Sequence, residues 1–177
     1  MVGKNALIYV VLTLTTGTAY AGWLRGYEIG ALSGGNSVWQ TTDGGYVITG
    51  WRGTSDTAYS DLVLIKTDSL GDTMWTRIYG GGSNNEGRCI KQTKDGGYII
   101  LGFANVEGDI WPAGDIWLLK TDSLGDTMWT RIYRGFNFPD GGWVEQTLDG
   151  GYVLTSNWDC AYLLLLKTDK DGNTEWS

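Results

Sequence analysis

Two blocks of sequence recur along the chain, and this repetition constrains the fold more than any other feature. The tetrapeptide Asp-Gly-Gly-Tyr begins at Asp43, Asp95 and Asp149, so successive copies start 52 and 54 residues apart. A longer block, KTDSLGDTMWTRIY, occupies Lys66–Tyr79 and returns letter for letter at Lys120–Tyr133. Identity over so long a block indicates duplication, and a period of this length is the signature of a repeat architecture.

Each repeat contains four short runs rich in β-branched and aromatic residues, with Asp- and Gly-containing turns between them. The predicted strands are Val38–Thr42, Tyr46–Trp51, Leu62–Thr67, Thr73–Tyr79, Cys89–Lys94, Tyr98–Phe103, Ile116–Thr121, Thr127–Tyr133, Trp143–Leu148, Tyr152–Asn157, Tyr162–Thr168 and an incomplete run at Trp176. The Asp-Gly-Gly turns accept positive φ and suit tight hairpins. No window shows sustained helical periodicity, so the sequence predicts an all-β chain.

The third run of each repeat is apolar on both faces, as the segments at Leu62–Ile65, Ile116–Leu119 and Leu163–Leu166 show. A strand with one wet face would alternate between apolar and polar residues. A propeller blade is instead covered on both faces by its neighbours. The pattern therefore favours a β-propeller-like fold of three four-stranded antiparallel blades. A β-trefoil, which closes with three repeats of four strands, is the alternative.

The predicted repeats cover roughly 23–74, 75–128 and 129–177. The Trp of each fourth run is interpreted as a packing wedge, namely Trp75, Trp129 and Trp176. Propellers have four to eight blades. Three blades imply an open arc, a fragment of a longer ring, or association with other copies through exposed blade edges. The interruption of the last run at Trp176 favours a fragment.

The first 21 residues are typical of an export signal. Lys4 is followed by an apolar core at Ala6–Thr13, which is too short to span a bilayer, and then by the cleavage pattern Ala19-Tyr20-Ala21. The sequence therefore predicts a signal peptide at 1–21 and a mature domain at 22–177. The expected location is secreted, cell-surface or periplasmic, with no membrane span in the mature chain.

The amino-acid composition excludes several classes of binding partner and catalytic mechanism. The net charge is −7 and the cations recur singly, so we expect no nucleic-acid partner. The chain contains no His, which excludes Ser-His-Asp catalysis and His-ligated zinc. Asp169–Asn173 alternates oxygen donors, but its Gly stands at the fourth place of the loop, so a hairpin turn explains it better than calcium. No metal or cofactor is predicted, and nothing requires Cys89 and Cys160 to pair.

The pattern DGGYxxxG followed by LxKTDxxGxxxWxxxYGG resembles the repeats of secreted bacterial and archaeal β-propeller proteins, over nearly all of residues 23–176. The resemblance implies a propeller fold and, since most of those proteins have no assigned activity, little about function. The segment from Asp68 to Trp75 more loosely resembles the tryptophan-docking repeat of quinoprotein propellers. No block matches their cofactor site, so no catalytic residue follows from this likeness.

Variable loops are the expected place for a ligand. The turns after runs one and three are near-identical between copies and lie on one edge of each blade, whereas the connections after runs two and four vary and lie on the other. The candidate contacts on this variable edge are Trp51, Arg52, Tyr59, Trp111, Arg134, Phe136, Phe138 and Trp158. Aromatics there suit carbohydrate or peptide, unless they seal gaps between units.

The predicted function is a non-catalytic, exported binding or interaction module. Most acidic residues stand in copied turns, whereas a catalytic site is normally present once. The alternative is a fragment of a propeller enzyme, either a quinoprotein-like oxidoreductase or a glycan-active hydrolase.

Overall fold

The computed structural model describes residues 24–30, 32–53, 59–81, 83–104, 114–134, 142–158 and 162–177. Within these ranges, twelve strands form three four-stranded antiparallel sheets, each a simple meander in chain order. Sheet 1 contains β1 (Ser33–Gln40), β2 (Tyr46–Gly53), β3 (Ser60–Thr67) and β4 (Thr73–Tyr79). Sheet 2 contains β5 (Asn85–Gln92), β6 (Tyr98–Ala104), β7 (Asp115–Thr121) and β8 (Thr127–Tyr133). Sheet 3 contains β9 (Trp143–Gln146), β10 (Tyr152–Trp158), β11 (Tyr162–Thr168) and β12 (Thr174–Trp176).

This arrangement confirms the all-β, propeller-like fold with three four-stranded blades. The trefoil alternative is wrong, because the described strands form three separate sheets and no closed barrel. No helix of a length and apolarity that would cross a membrane occurs in the described ranges. The signal-peptide prediction concerns residues 1–21, which lie outside them.

The first strands of sheets 1 and 2 begin and end earlier than predicted. Gly34, Gly35 and Asn36 have low strand propensity, but hydrogen bonding to the neighbouring strand extends β1 back to Ser33. The register shifts between Gly35 and Ser37, and it shifts again at the aligned place in β5, between Gly87 and Cys89. Such a bulge adds one residue to the strand and bends it locally.

Apolar side chains fill the two spaces between the sheets. Val47, Leu62 and Leu64 of sheet 1 pack against Ile90 and Tyr98 of sheet 2, and all are buried. The second space repeats this pattern between sheets 2 and 3. At about 25 cal/mol per Å² of buried apolar area, these two spaces supply the main force that stacks the sheets.

A repeated contact, which we call the clasp, joins the outer strand of one sheet to the β3–β4-type turn of the next. The Tyr79 hydroxyl donates to the Gly125 carbonyl, and the Tyr133 hydroxyl donates to the Gly172 carbonyl at 2.8 Å. Arg77 reinforces the first clasp with an ion pair to Asp126 at 3.3 Å. Burial raises the pKa of Tyr133 to about 12, so its hydroxyl keeps the donated proton.

The segment at residues 24–30 makes the same clasp with sheet 1. The Tyr27 hydroxyl donates to the Gly71 carbonyl at 2.9 Å, and Arg25 pairs with Asp72 at 3.1 Å. Tyr27 and Arg25 have the same spacing as Tyr79 and Arg77. Residues 24–30 therefore occupy the place that the fourth strand of a preceding sheet would take.

Tryptophan wedges accompany the clasps, as their repeated position predicts. Trp75 meets Tyr98 of the next sheet edge to face at 6.0 Å between ring centroids, and Trp129 meets Tyr152 at 5.7 Å. Such pairs contribute about 0.5–1.5 kcal/mol beyond the area they bury. These two repeated Trp residues are thus part of the contact between sheets.

Candidate binding site

The first strands of successive sheets lie next to one another. Strand β5 contacts β1, β2 and β3, and β9 contacts β5 and β6. The Asn36 side-chain amide donates to the Gly87 carbonyl at 2.8 Å, and Ser37 Oγ accepts from the Ile90 amide at 3.3 Å. A Cβ atom at Gly87 would lie 2.0 Å from Thr49 Oγ1, so the glycine permits this close approach. One edge of the three sheets is therefore a continuous row of first strands.

Several positions of this row differ between the repeats, and at one of them the charge differs in every copy. Each first strand ends in a Gln that pairs with the Tyr of the Asp-Gly-Gly-Tyr motif, namely Gln40, Gln92 and Gln146. The residue immediately before this Gln is Trp39 in β1, Lys91 in β5 and Glu145 in β9. The aligned position thus carries an aromatic ring, a cation and an anion in turn.

These three side chains meet, together with Trp143 two residues before Glu145. Lys91 Nζ lies 3.8 Å from the centroid of the Trp39 ring and 4.1 Å from that of Trp143. The same nitrogen lies 3.3 Å from Glu145 Oε2, which also accepts from Trp143 Nε1 at 3.4 Å. We call Trp39, Lys91, Trp143 and Glu145 the first-strand cluster.

The partners of Lys91 explain how its ammonium group can be buried in the cluster. Lys91 is only 5% exposed, and a buried ammonium is costly unless it has compensating partners. Two indole faces and one carboxylate provide that compensation here. Trp143 remains 55% exposed and Trp39 is also exposed, while the Glu145 side chain is about half exposed. The cluster therefore presents two aromatic rings and a carboxylate to solvent above a buried cation.

Cys89 lies two residues before Lys91 on β5 and belongs to the apolar space between sheets 2 and 3. It is a free, buried thiol, and burial raises its pKa. A protonated, buried thiol is not a nucleophile, so Cys89 serves packing. Cys160 lies outside the described residues.

The acids of the repeated turns have structural partners. Asp43 Oδ1 accepts from the Thr41 hydroxyl and from the Gly45 amide, and Asp43 Oδ2 lies 2.9 Å from the buried Lys66 ammonium. The same ion pair recurs at 2.9 Å between Asp95 and Lys120 and between Asp149 and Lys167. A Cβ at Gly45 would lie 2.2 Å from the Thr67 carbonyl oxygen, which explains the second Gly of each motif.

The Asp169 turn likewise has an internal explanation. Its carboxylate accepts from the Asp171 amide at 2.9 Å and from the Asn173 amide at 2.8 Å. Asp68 and Asp122 accept from backbone amides in the same manner. Throughout the described ranges, no group of three or more His, Cys, Asp or Glu side chains is placed to hold a metal ion.

The predicted contacts on the variable edge have different environments. Trp51 covers Gly34 of β1, where an added Cβ would lie 2.7 Å from the indole nitrogen, and Arg52 pairs with Asp61 at 3.2 Å. Tyr59 and Arg134 are exposed. Trp158 ends β10, but its side chain is outside the description. Trp111, Phe136 and Phe138 lie outside the described residues.

The sequence interpretation missed the first-strand cluster because it searched for variation in the loops. The usable signal was a strand position: three units agree at the Gln and the Asp-Gly-Gly-Tyr motif, yet differ in charge one residue earlier. Only the contact between first strands shows that these positions meet. The cluster and the variable edge are therefore two separate surfaces.

Comparisons with known proteins bear on the fold. No protein-family model matches the chain, and no curated protein matches it. Among solved structures, the chain is similar to a protein of unknown function from Bacteroides caccae, with a TM-score of 0.54 and 12% sequence identity. The match covers 84% of this chain and 46% of the other, so the chain spans about half the length of that protein. A likeness at this identity identifies a shared fold.

Proposed function

We propose that the chain is a non-catalytic, exported binding module whose ligand contacts the first-strand cluster. The observation that supports the proposal is the difference in charge at the aligned positions Trp39, Lys91 and Glu145. Lys91 contacts the other two, although the Gln that follows each of them and the Asp-Gly-Gly-Tyr motif are copied. At the clasps, by contrast, the aligned Tyr residues are the same in each copy. A site that occurs once needs residues that occur once.

The chemistry of the cluster favours a neutral carbohydrate. Exposed indole rings suit the apolar faces of sugar rings. The half-exposed Glu145 carboxylate can accept hydrogen bonds from hydroxyl groups. Lys91 and Glu145 balance each other within the cluster, and the chain as a whole carries a net charge of −7. An anionic polymer would therefore meet repulsion and gain little compensation at this surface.

A binding role suits the cluster better than hydrolysis. Glycoside hydrolysis normally uses two carboxyl groups that flank the scissile bond. The first-strand cluster contains one, Glu145, and its partner Lys91 is buried between rings. The acids of the repeated turns are engaged with lysines and backbone amides, as Asp43, Asp95 and Asp149 show.

A panel of neutral oligosaccharides titrated by calorimetry tests the proposal. Trp143→Ala should weaken binding at least about fivefold, since loss of one stacked ring costs roughly 1 kcal/mol or more. Trp176→Ala is the matched control, because Trp176 has similar exposure but lies on β12, outside the cluster. Glu145→Gln should also weaken binding. No binding by the unchanged protein, or equal binding by Trp143→Ala, would contradict the proposal.

The variable edge supplies the competing location for the same function. Tyr59 and Arg134 are exposed there. Loss of binding in Tyr59→Ala with full binding in Trp143→Ala would place the ligand on that edge instead. The two variants together therefore assign the surface.

A further inference from the structure

Lys91 differs from the lysines of the repeated turns in what surrounds its ammonium group. Lys66 and Lys120 donate to the backbone carbonyls of Thr67 at 2.7 Å and Thr121 at 2.8 Å, and each also pairs with an aspartate. Lys91 Nζ lies instead between two indole rings, with one carboxylate oxygen beside it. Oxygen acceptors bind an ammonium through its N–H groups, whereas the face of a ring attracts the positive charge itself. The surroundings of Lys91 therefore attract a cation without requiring N–H groups at particular positions.

Three groups around this ammonium form a cage for a cation. The centroids of the Trp39 and Trp143 rings lie 3.8 Å and 4.1 Å from Lys91 Nζ. Both distances are well within the range of about 6 Å over which a ring attracts a cation. Glu145 Oε2 lies 3.3 Å from the same nitrogen and also accepts from Trp143 Nε1, which links the carboxylate to one of the rings. Aromatic faces of this kind are what proteins use to bind substituted ammonium ions.

The walls of this cage are accessible although the group inside it is not. The Trp39 and Trp143 rings are exposed and the Glu145 side chain is about half exposed, whereas Lys91 is buried. Lys91 belongs to β5, which contacts β1 and β9, the two strands that carry the walls. Lys91 therefore fills, from within the protein, a space whose walls face solvent.

The charge of the chain as a whole would favour cations at this surface. A net charge of −7 attracts positively charged ligands, and Glu145 without Lys91 would add an uncompensated carboxylate at the cluster itself. Lys91 neutralises this carboxylate and occupies the space between the rings. Rejection of a cation by the first-strand cluster would therefore be a local effect of this one residue.

We propose that Trp39, Trp143 and Glu145 form a cage for an alkylammonium ion, and that Lys91 fills this cage and thereby excludes cationic ligands from the binding site. Lys91 is then the specificity-determining residue of the first-strand cluster, which restricts the cluster to neutral ligands. This role rests on the proposed function, because that function places the ligand at the cluster. The cage itself is independent of it and can be tested without any carbohydrate.

Titration with propylammonium chloride, followed by tryptophan fluorescence, tests the cage. Lys91→Ala should bind propylammonium, whereas the unchanged chain should show no binding because its cage is full. 1-Propanol has the same carbon chain without the charge, and it should bind Lys91→Ala at least about tenfold more weakly. Addition of Glu145→Gln to Lys91→Ala should weaken propylammonium binding. Sodium chloride at equal concentration controls for ionic strength.

Lys91→Met is the matched variant that keeps the cage filled without the charge. Its thioether contacts aromatic rings favourably, so this variant should not bind propylammonium. Equal binding by Lys91→Met and Lys91→Ala would overturn the proposal, because filling of the cage would then have no effect. Binding by the unchanged chain, or equal binding of propylammonium and 1-propanol by Lys91→Ala, would overturn it as well.

Thermal unfolding keeps the test decisive if Lys91→Ala is unstable. A ligand that binds only the folded chain raises the Tm, so propylammonium should stabilise Lys91→Ala more than 1-propanol or sodium chloride does. Equal effects of the three additives would contradict the cage. Titration of the unchanged chain with neutral oligosaccharides tests the proposed function separately. Propylammonium binding by Lys91→Ala without carbohydrate binding by the unchanged chain would retain the cage and reject the carbohydrate site, and the opposite result would do the reverse.

Discussion

The clasps and the first-strand cluster both join one sheet to the next, but they follow opposite sequence rules. At the clasps, Tyr27, Tyr79 and Tyr133 perform the same task on Gly71, Gly125 and Gly172. In the cluster, aligned positions carry Trp39, Lys91 and Glu145, and each has a different task. The clasp residues are therefore the same in each copy, whereas the aligned residues of the cluster differ in chemistry and provide the combination that occurs once.

The largest expected effect concerns a clasp glycine. Gly125 has φ of +81°, and a Cβ there would lie 2.8 Å from Arg77 Cγ and 3.0 Å from the Trp75 ring. Gly125→Ala should cost about 1 kcal/mol for the left-handed backbone and a further 1–3 kcal/mol, roughly, for the forced contact. Urea unfolding monitored by circular dichroism measures the sum.

Gly96 provides the matched control for this prediction. Its φ is +83° in the same sheet, but nothing lies within 4 Å of a Cβ built there. Gly96→Ala should therefore cost only the backbone part, about 1 kcal/mol. Equal losses in the two variants would mean that the clasp adds nothing to stability beyond the turn.

Substitution by methionine should destabilise the protein less than Gly125→Ala does, and by different amounts at two buried lysines. Lys120 donates to the Thr121 carbonyl at 2.8 Å and pairs with Asp95, so Lys120→Met leaves a buried acceptor without this donor and should cost about 1–3 kcal/mol. Lys91→Met places a thioether between two indole rings, a favourable contact, and leaves the half-exposed Glu145 to water. Its expected cost is below about 1 kcal/mol, because removal of the buried charge also removes its desolvation penalty.

Denaturant unfolding of the two methionine variants, measured under the same conditions, checks this difference. A loss for Lys91→Met as large as that for Lys120→Met would show that the cluster supports the fold as strongly as the repeated turns do. Position in a copied turn or in the unique cluster would then not predict how much a buried lysine contributes to stability.

The smallest expected effect is the acid sensitivity of the repeated turn. Hydrogen bonds from the Thr41 hydroxyl and the Lys66 ammonium lower the pKa of Asp43 from 3.8 to about 2. Because the pKa of Asp43 is lower in the folded chain than in the unfolded chain, its ionised carboxylate stabilises the fold at pH values above the unfolded pKa. This stabilisation is lost as the pH falls through about 2. Because the carboxylate is more than half exposed, it should amount to less than about 1 kcal/mol.

The comparison of Asp43→Asn with the unchanged protein tests this assignment. The difference in unfolding free energy should be constant above about pH 4 and should shrink as the pH falls toward 2. A difference that stays constant down to pH 2 would show that the ionised carboxylate is not what stabilises the turn.

Local chemistry explains how much of the fold was predictable. Tight turns at Asp43, Asp95 and Asp149 join neighbouring strands, so the meander order follows from sequence alone. The apolar third runs correctly indicated burial on both faces in sheets 1 and 2. The predicted start of β1 was wrong, because pairing with β2 overrides the low strand propensity of Gly34 and Gly35.

The candidate site was not predictable by the same means. Trp39 and Lys91 are 52 residues apart, Lys91 and Glu145 are 54 apart, and no local rule brings them together. The four members of the predicted variable edge whose side chains are described divide into two that pack or pair, Trp51 and Arg52, and two that are exposed, Tyr59 and Arg134.

The sequence by itself determined the strands, the turns, the four-strand unit and the number of units, because each depends on residues close together in the chain. The tertiary structure decided which strand of each unit meets its neighbours and which aligned positions converge. The clasp residues repeat because each junction has the same geometry. The role of Lys91 depends instead on two different neighbours, Trp39 and Trp143, which only the stacking of the sheets places on either side of it.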